Sequence, residues 1–215
     1  MPPSGALGSG TAPGPGAPPP APGARFHRVG EETLYRGSLV TVARATVAGP
    51  GGVTFERDIV HHPGAVVVVP VVGGGREGEG PGAGGGTAVL LVRQYRAAVG
   101  AELLELPAGK RDVDGEAPED TARRELEEEV GMRAGRLREL AQFYNSPGFC
   151  DEHSHLYLAS DLTPSRTSPQ GVEEANMAVE RVTLSQVAAL VASGAIVDAK
   201  TIVGLCLARQ ALEAG

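Results

Sequence analysis

The 215-residue chain carries a formal net charge of −7, with 41% hydrophobic, 21% charged and 4% aromatic residues and no Trp. That length allows one sizeable domain with its own core. An acidic chain with few rings and no Lys/Arg-rich run excludes general nucleic-acid binding by phosphate neutralisation, and no stretch approaches the ~20 apolar residues that span a bilayer.

Residues 1–24 are Pro, Gly and Ala with almost nothing to bury, which predicts a disordered tail. The tail has neither a basic start nor a continuous apolar segment, so it does not read as a signal peptide. From Arg25 the composition changes. "TLYRGSLVTVARATVA" and "VTFERDIVHHPGAVVVVPVV" carry β-branched residues in alternating or continuous runs and read as strands. Pro70, inside the apolar run 65–72, suggests an edge or a bulge. "GGGREGEGPGAGGG", residues 73–86, predicts a flexible hairpin loop, from which "TAVLLVRQYR" returns as a strand. "AELLELPAG" is a short strand leading into a helix with legible ends: Pro118 suits its first turn, Glu119 and Asp120 favour the positive end of its dipole, and Gly131 terminates it.

"RLRELAQFYNSPG", "HSHLYLASDL" and "MAVERVTL" read as further strands. "LSQVAALVAS" and "DAKTIVGLCLARQALEA" are patterned as amphipathic helices, Thr183 and Gln186 forming a capping box for the first. Strands, an embedded helix, more strands and terminal helices predict an α+β fold with a mixed sheet packed against helices. Cys150 and Cys206 are far apart without metal-ligand spacing, the pattern of a reduced, cytoplasmic protein. His61 and His62 beside a strand read as structural, and His153 with His155 lacks the further ligands a zinc site needs.

The helix concentrates charge. Glu125, Glu128 and Glu129 at i, i+3 and i+4 share one side, beside an apolar stripe of Ala122, Leu126 and Val130. Each uncompensated like-charge pair destabilises a helix by roughly 0.2–0.5 kcal/mol. A hard divalent cation, which takes carboxylate oxygens and water, reverses that sign. Arg123 and Arg124 offset part of the repulsion, so spacing alone leaves a solvated acidic face and a metal site both open.

The surrounding residues resemble the signature of the Nudix hydrolases: Gly, five residues, Glu, seven residues, Arg-Glu, an aliphatic, any residue, Glu-Glu, any residue, Gly, an aliphatic. Here these are Gly109, Glu116, Arg124, Glu125, Leu126, Glu128, Glu129, Gly131 and Met132. The chain departs once, with six residues (110–115) between Gly109 and Glu116; an insertion in that loop is tolerated. The flanks "HPGAVVVVPV", "QYR", "ELPAG" and "SPGFCDE", with Pro147 some fifteen residues past the box, are similar to the ADP-ribose pyrophosphatase branch, over most of residues 25–213.

The resemblance implies a Nudix-fold α/β/α sandwich: residues 25–215 form the hydrolase domain, with an N-terminal strand region at about 25–62 and a catalytic core at about 63–215. It implies Mg²⁺ or Mn²⁺ held by Glu125, Glu129, Glu128 (directly or through water) and the backbone carbonyl of Ala108. Arg124 would orient these glutamates by ion pairing. The general base would come from a loop after the box, where "QGVEEANMAVERV" offers Glu173, with Glu174 in reserve. Among substrate contacts, Arg96 would meet a phosphate or ribose, Glu105 the terminal ribose, and Pro147, Gly148, Phe149 and Glu152 would shape or line the pocket. Cys150 has no partner base and reads as a bystander.

The activity so implied is Mg-dependent hydrolysis of the pyrophosphate of ADP-ribose, a small nucleoside diphosphate, to AMP and ribose 5-phosphate. The branch also implies a homodimer whose residues 33–60 reach the partner. Two rivals remain: a Nudix enzyme for another nucleoside diphosphate sugar or dinucleotide, and a noncatalytic ADP-ribose sensor, which would predict broken metal glutamates or an appended DNA-binding domain.

Overall fold

Two sets of strands organise the chain. The computed structural model describes residues 25–73, 86–166 and 176–214. They divide into two compact units, one of residues 25–63 with 146–153 and the other of the described residues between 64 and 145 and between 154 and 214. The loop expected at 73–86 and the tail at 1–24 fall almost wholly outside the described residues.

The first unit is an antiparallel sheet of β1 (His27–Arg36), β2 (Thr41–Ala48) and β3 (Thr54–His61), in that order. β2 in the middle buries Ala43 and Ala45 completely, whereas β1 is exposed along its whole length. The turn between β2 and β3 carries Gly51 and Gly52 at φ 73° and 79°, the left-handed region glycine enters without a Cβ clash. The end of β3 binds the Ser146–His153 segment. Val60 N–H donates to Phe149 O at 2.7 Å, Asp151 N–H to Val60 O at 3.1 Å, and His62 N–H to Asp151 Oδ1 at 2.8 Å. His61 joins in, its Nδ1 2.5 Å from Asp151 Oδ2 and its Nε2 3.1 Å from Glu31 Oε1. Both histidines are thus part of the scaffold.

The second unit is a seven-stranded mixed sheet. Its strands are β4 (Ala65–Val72), β5 (Ala88–Arg96), β6 (Ala101–Glu105), β7 (Ala108–Lys110), β8 (Met132–Tyr144), β9 (His153–Pro164) and β10 (Ala178–Thr183). The main path runs β10-β5-β4-β9-β8, with β4 and β9 parallel. β4 and β5 pair only through Val71–Val89 and Val72–Ala88. Beyond that point β6 takes the free edge of β5, and β7 takes that of β4. Pro70 therefore sits within a central strand, not at an edge. It lies where the β4 ladder on this side is interrupted between Val67 and Val71, so its missing N–H interrupts no bond there.

Strand alternation sends Val67 and Val69 of β4 to one face and Val66 and Val68 to the other. The first face packs on Leu205 and Ala208 of α3 (Ala199–Glu213), with α2 (Val187–Ala192) beside it. The second packs on Ala122, Leu126 and Val130 of α1 (Pro118–Val130). Helices thus cover both faces, the α/β/α arrangement expected. Burying each such Val or Leu contributes about 1.5–3 kcal/mol, so the apolar stripe of α1 alone holds that helix down. Among the described residues no helix is long and apolar enough to cross a membrane.

The helix ends show where sequence signals work. Gly131 closes α1 at φ 68°, its N–H reaching Glu127 O and Leu126 O. The capping box at Thr183 forms only half: Gln186 Oε1 accepts from the Thr183 N–H at 3.0 Å, but the intervening residues turn and α2 begins at Val187. α3 has a full cap in Asp198, which accepts from the Thr201 N–H at 2.8 Å. Thr201 Oγ1 in turn accepts from the Leu106 N–H at 2.9 Å, tying α3 to the link between β6 and β7. Gly204 of α3 faces Leu106 so closely that a Cβ would lie 2.4 Å from its Cδ1.

Candidate active site

The insertion of β6 and β7 beside β4 and β5 brings the Ala108–Gly109 backbone against α1. On α1 the apolar stripe faces the sheet, so the neighbouring Glu125 and Glu129, one turn apart, are drawn under as well and become buried. Glu129 Oε2 accepts the Ala108 N–H at 3.0 Å. Glu125 fills the space over Gly109: a Cβ there would stand 1.8 Å from Glu125 Cδ and 2.0 Å from its Oε1. Only glycine leaves room for this carboxylate.

Arg124 answers the crowding of charge. Its Nη1 donates to Glu125 Oε1 at 2.8 Å and to Glu128 Oε2 at 3.0 Å, while Nε and Nη2 reach the two Glu116 oxygens at 3.3 Å. Burial alone would lower the Arg124 pKa, but Glu116, Glu125 and Glu128 outweigh it and hold the guanidinium firmly charged. The Glu116 carboxyl is held below its usual range, first by Arg124 and then by the Thr121 hydroxyl, which donates to it at 2.7 Å. The loop one residue longer than the signature is absorbed by a turn ahead of the helix, with Gly115 at φ 77° and the Glu116 N–H on Val113 O.

Arg96 and Glu105, expected as separate substrate contacts, are brought together. Arg96 Nε and Nη2 form a fork on Glu105 Oε1 and Oε2 at 2.9 and 2.7 Å, and Glu105 is 1% exposed. The Arg96 pKa is raised chiefly by this hydrogen bonding, with Glu129 and Asp198 adding electrostatically. Burying a carboxylate without such a partner is costly, and the fork supplies the partner. The hairpin signal was available in "RQYRAAVGAELLE", where the antiparallel turn folds the second half back on the first.

Pro147, Gly148, Phe149 and Glu152 lie in the Ser146–His153 segment of the first unit. Ser146 O closes the turn by accepting from the Phe149 and Cys150 N–H groups at 3.1 and 2.9 Å, and leaves Phe149 exposed. Burial pushes the Cys150 thiol up, the opposite of what a nucleophile needs. Glu173 and Glu174 lie outside the described residues. Thr121 and Asp198 were not anticipated as supports; Thr121, five residues past Glu116 and on the first turn, was the readable one.

Among the described residues no three acidic, imidazole or thiol side chains converge as a closed metal cage; Arg124 stands among the carboxylates. The donors nonetheless suit a hard divalent ion. They are oxygens, and two of the carboxylates are buried against backbone, the hard ligand type that Mg²⁺ takes.

A mixed sheet thus lies between helices, with a glutamate-rich helix packed on a glycine-marked strand. The NUDIX domain family matches residues 61–202, and the chain belongs to that family as a Nudix hydrolase. It is similar to an ADP-ribose pyrophosphatase of Bacillus subtilis (strain 168), 36% identical over 173 residues, or 80% of this chain and 86% of that protein. It is also similar to an ADP-ribose pyrophosphatase of Mycobacterium tuberculosis (strain ATCC 25618 / H37Rv), 36% identical over 190 residues, or 88% and 86%. A crystal structure of an ADP compounds hydrolase shares the fold at a TM-score of 0.73, with 24% identity over 88% of this chain and 95% of that one.

Proposed function

We propose that this hydrolase cleaves the pyrophosphate bond of ADP-ribose to AMP and ribose 5-phosphate with the help of Mg²⁺ or Mn²⁺. The observation that carries the reading is the pair of buried carboxylates, Glu125 and Glu129, pressed against Ala108 and Gly109. The names of the two similar pyrophosphatases support the choice of substrate. Glu125, Glu129, Glu128 and the Ala108 carbonyl would hold the cation, which when bound neutralises the diphosphate and acidifies water.

The chain's own residues do the rest. Glu173, with Glu174 as the alternative, accepts a proton from water. The water oxygen bonds to one phosphorus while the bond from that phosphorus to the bridging oxygen breaks, and the bridging oxygen leaves on the other monophosphate. Arg124 keeps Glu116, Glu125 and Glu128 turned toward one another. Pro147, Gly148, Phe149 and Glu152 are proposed substrate contacts, as are Arg96 and Glu105, now acting as a pair. Residues 25–215 act as one hydrolase domain with its N-terminal strand region at 25–62, and the protein works in the cytoplasm. A homodimer through residues 33–60 belongs to the same proposal, supported by the full exposure of β1.

The test is hydrolysis of a panel of ADP-ribose, nucleotide sugars and dinucleotides, with Mg²⁺ and with EDTA. ADP-ribose should give AMP and ribose 5-phosphate fastest, and EDTA should stop it. Faster turnover of a nucleotide sugar would reassign the substrate; binding without turnover would make the protein a sensor.

A further inference from the structure

Gln94 lies on β5 between Val92 and Arg96, and it has no part in the site as described so far. It is 5% exposed, and its amide nitrogen is buried without a hydrogen-bond partner among the described residues. Buried amide donors are almost always satisfied, because leaving one without an acceptor forfeits the bond it made to water. The neighbours show which way it faces. Val89 and Leu91 of β5 pack with α3, while Leu90 and Val92 pack with α1. Alternation puts Gln94 and Arg96 on the α1 face with Leu90 and Val92. The unshifted register of β5 with β6 sets Glu105 opposite Val92, on that same face. The unsatisfied donor is therefore aimed at the side of the sheet that carries the glutamate helix, next to the Arg96–Glu105 fork.

We propose that Gln94 is a substrate-binding residue whose side-chain amide donates a hydrogen bond to a phosphate oxygen of the nucleoside diphosphate. The proposal rests on the reading of this face as the diphosphate site and adds a specific contact to it. A neutral donor suits the place. Glu105 already balances the charge of Arg96, so a ligand oxygen finds in Gln94 a donor with no carboxylate of its own to satisfy. Among the described residues no acceptor meets that donor, which leaves the bond available to a ligand.

Two variants separate this role from a merely structural one. Gln94→Leu deletes the donor and fills the space with apolar atoms, and Gln94→Glu keeps the shape but presents an anion. A hydrogen bond to a charged group corresponds to about ten- to hundredfold in affinity. Gln94→Leu should therefore raise KM for ADP-ribose by that factor with a smaller change in kcat, and Gln94→Glu should raise it further. The Ki of inorganic pyrophosphate should rise in parallel. Meanwhile the Tm of Gln94→Leu should hold or increase, because an unmet buried donor has been removed. A purely structural glutamine predicts the same gain in Tm with KM and Ki unchanged, and that result overturns the proposal. A weaker KM with an unchanged pyrophosphate Ki overturns the phosphate assignment. Gln94→Met, closer in length, replaces the Leu variant if the latter does not fold.

Absence of turnover in the wild-type protein would defeat the proposed function alone. The contact is then read by calorimetric titration with ADP-ribose. Weaker binding to Gln94→Leu supports it; equal binding, or none to the wild type, overturns it.

Discussion

Two places in this molecule gather acidic side chains around one arginine, and they differ in what surrounds them. On the β2–β3 ladder, Arg44 Nε lies 3.2 Å from Asp58 Oδ1 and 3.8 Å from Glu56 Oε2, with the three side chains 42%, 67% and 66% exposed. On α1, Arg124 bridges Glu116, Glu125 and Glu128, and those four side chains are 28%, 17%, 10% and 14% exposed. In the first case water screens each charge and the arrangement contributes little. In the second, the Ala122–Leu126–Val130 stripe packs on the sheet and draws Glu125 in with it, and the carboxylates meet Arg124 largely shielded from solvent. Charge density alone does not set the two clusters apart; burial does.

The sharpest way to break that contrast is at Glu129. Glu129→Gln keeps the acceptor for the Ala108 N–H yet removes a charge proposed to hold the cation. Several kcal/mol of transition-state stabilisation should go with it, a fall of about a hundredfold or more in Mg²⁺-dependent kcat. Circular dichroism and Tm should remain close to wild type. Wild-type turnover in this variant would remove the metal assignment.

Gly109→Ala tests the packing half of the comparison. The new methyl would meet Glu125 Cδ at 1.8 Å, so either the carboxylate or the strand must move. Overpacking of this kind costs typically about 1–3 kcal/mol, and a displaced ligand lowers activity by about ten- to hundredfold. The loss is expected to be smaller than for Glu129→Gln because every carboxylate is still present. A variant with unchanged Tm and rate would show that the glycine is not required.

These two residues also mark how far the sequence could be read. Spacing put Glu125, Glu128 and Glu129 on one side of a helix and left open whether water or a cation met them. The resemblance of the Gly109–Met132 stretch favours the cation, and helix, glycine stop and flanking strands stand where the pattern places them. What stayed illegible depends on contacts remote in sequence. Nothing local says that α3 ties itself to Leu106 through Thr201, or that Arg96 turns to Glu105. Pro70 misled for the same reason: a proline's tolerance depends on which edge of its strand is paired, and that is set by β6 and β7 arriving later in the chain.

Acid should weaken the arginine cluster on α1. The folded pKa of Glu116 lies below its unfolded value, because Arg124 and Thr121 favour the charged form. Its contribution to stability is therefore fully present above the ordinary glutamate pKa of about 4.3 and is lost as pH falls through the lowered folded value. In denaturant titrations between pH 6 and pH 3 (the range in which, to an approximation of about a unit, free carboxylates titrate), wild type should lose stability more steeply than Glu116→Gln. Parallel curves would mean that the Glu116–Arg124 bond is not formed in solution.

The smallest effect should come from Arg44→Ala. Its partners sit in water, so removing the guanidinium leaves no buried charge behind, and each carboxylate regains its hydration. Exposed pairs of this kind are worth about 0.2–1 kcal/mol by double-mutant cycles. Arg44→Ala should shift stability by no more than that, and combining it with Asp58→Asn should reveal a coupling near the lower end. Hydrolysis of ADP-ribose should be unaffected. A coupling well above that range would mean that the ladder is shielded from water, as it would be if a second subunit covered the strands, and raising the salt concentration would then leave it intact instead of erasing it.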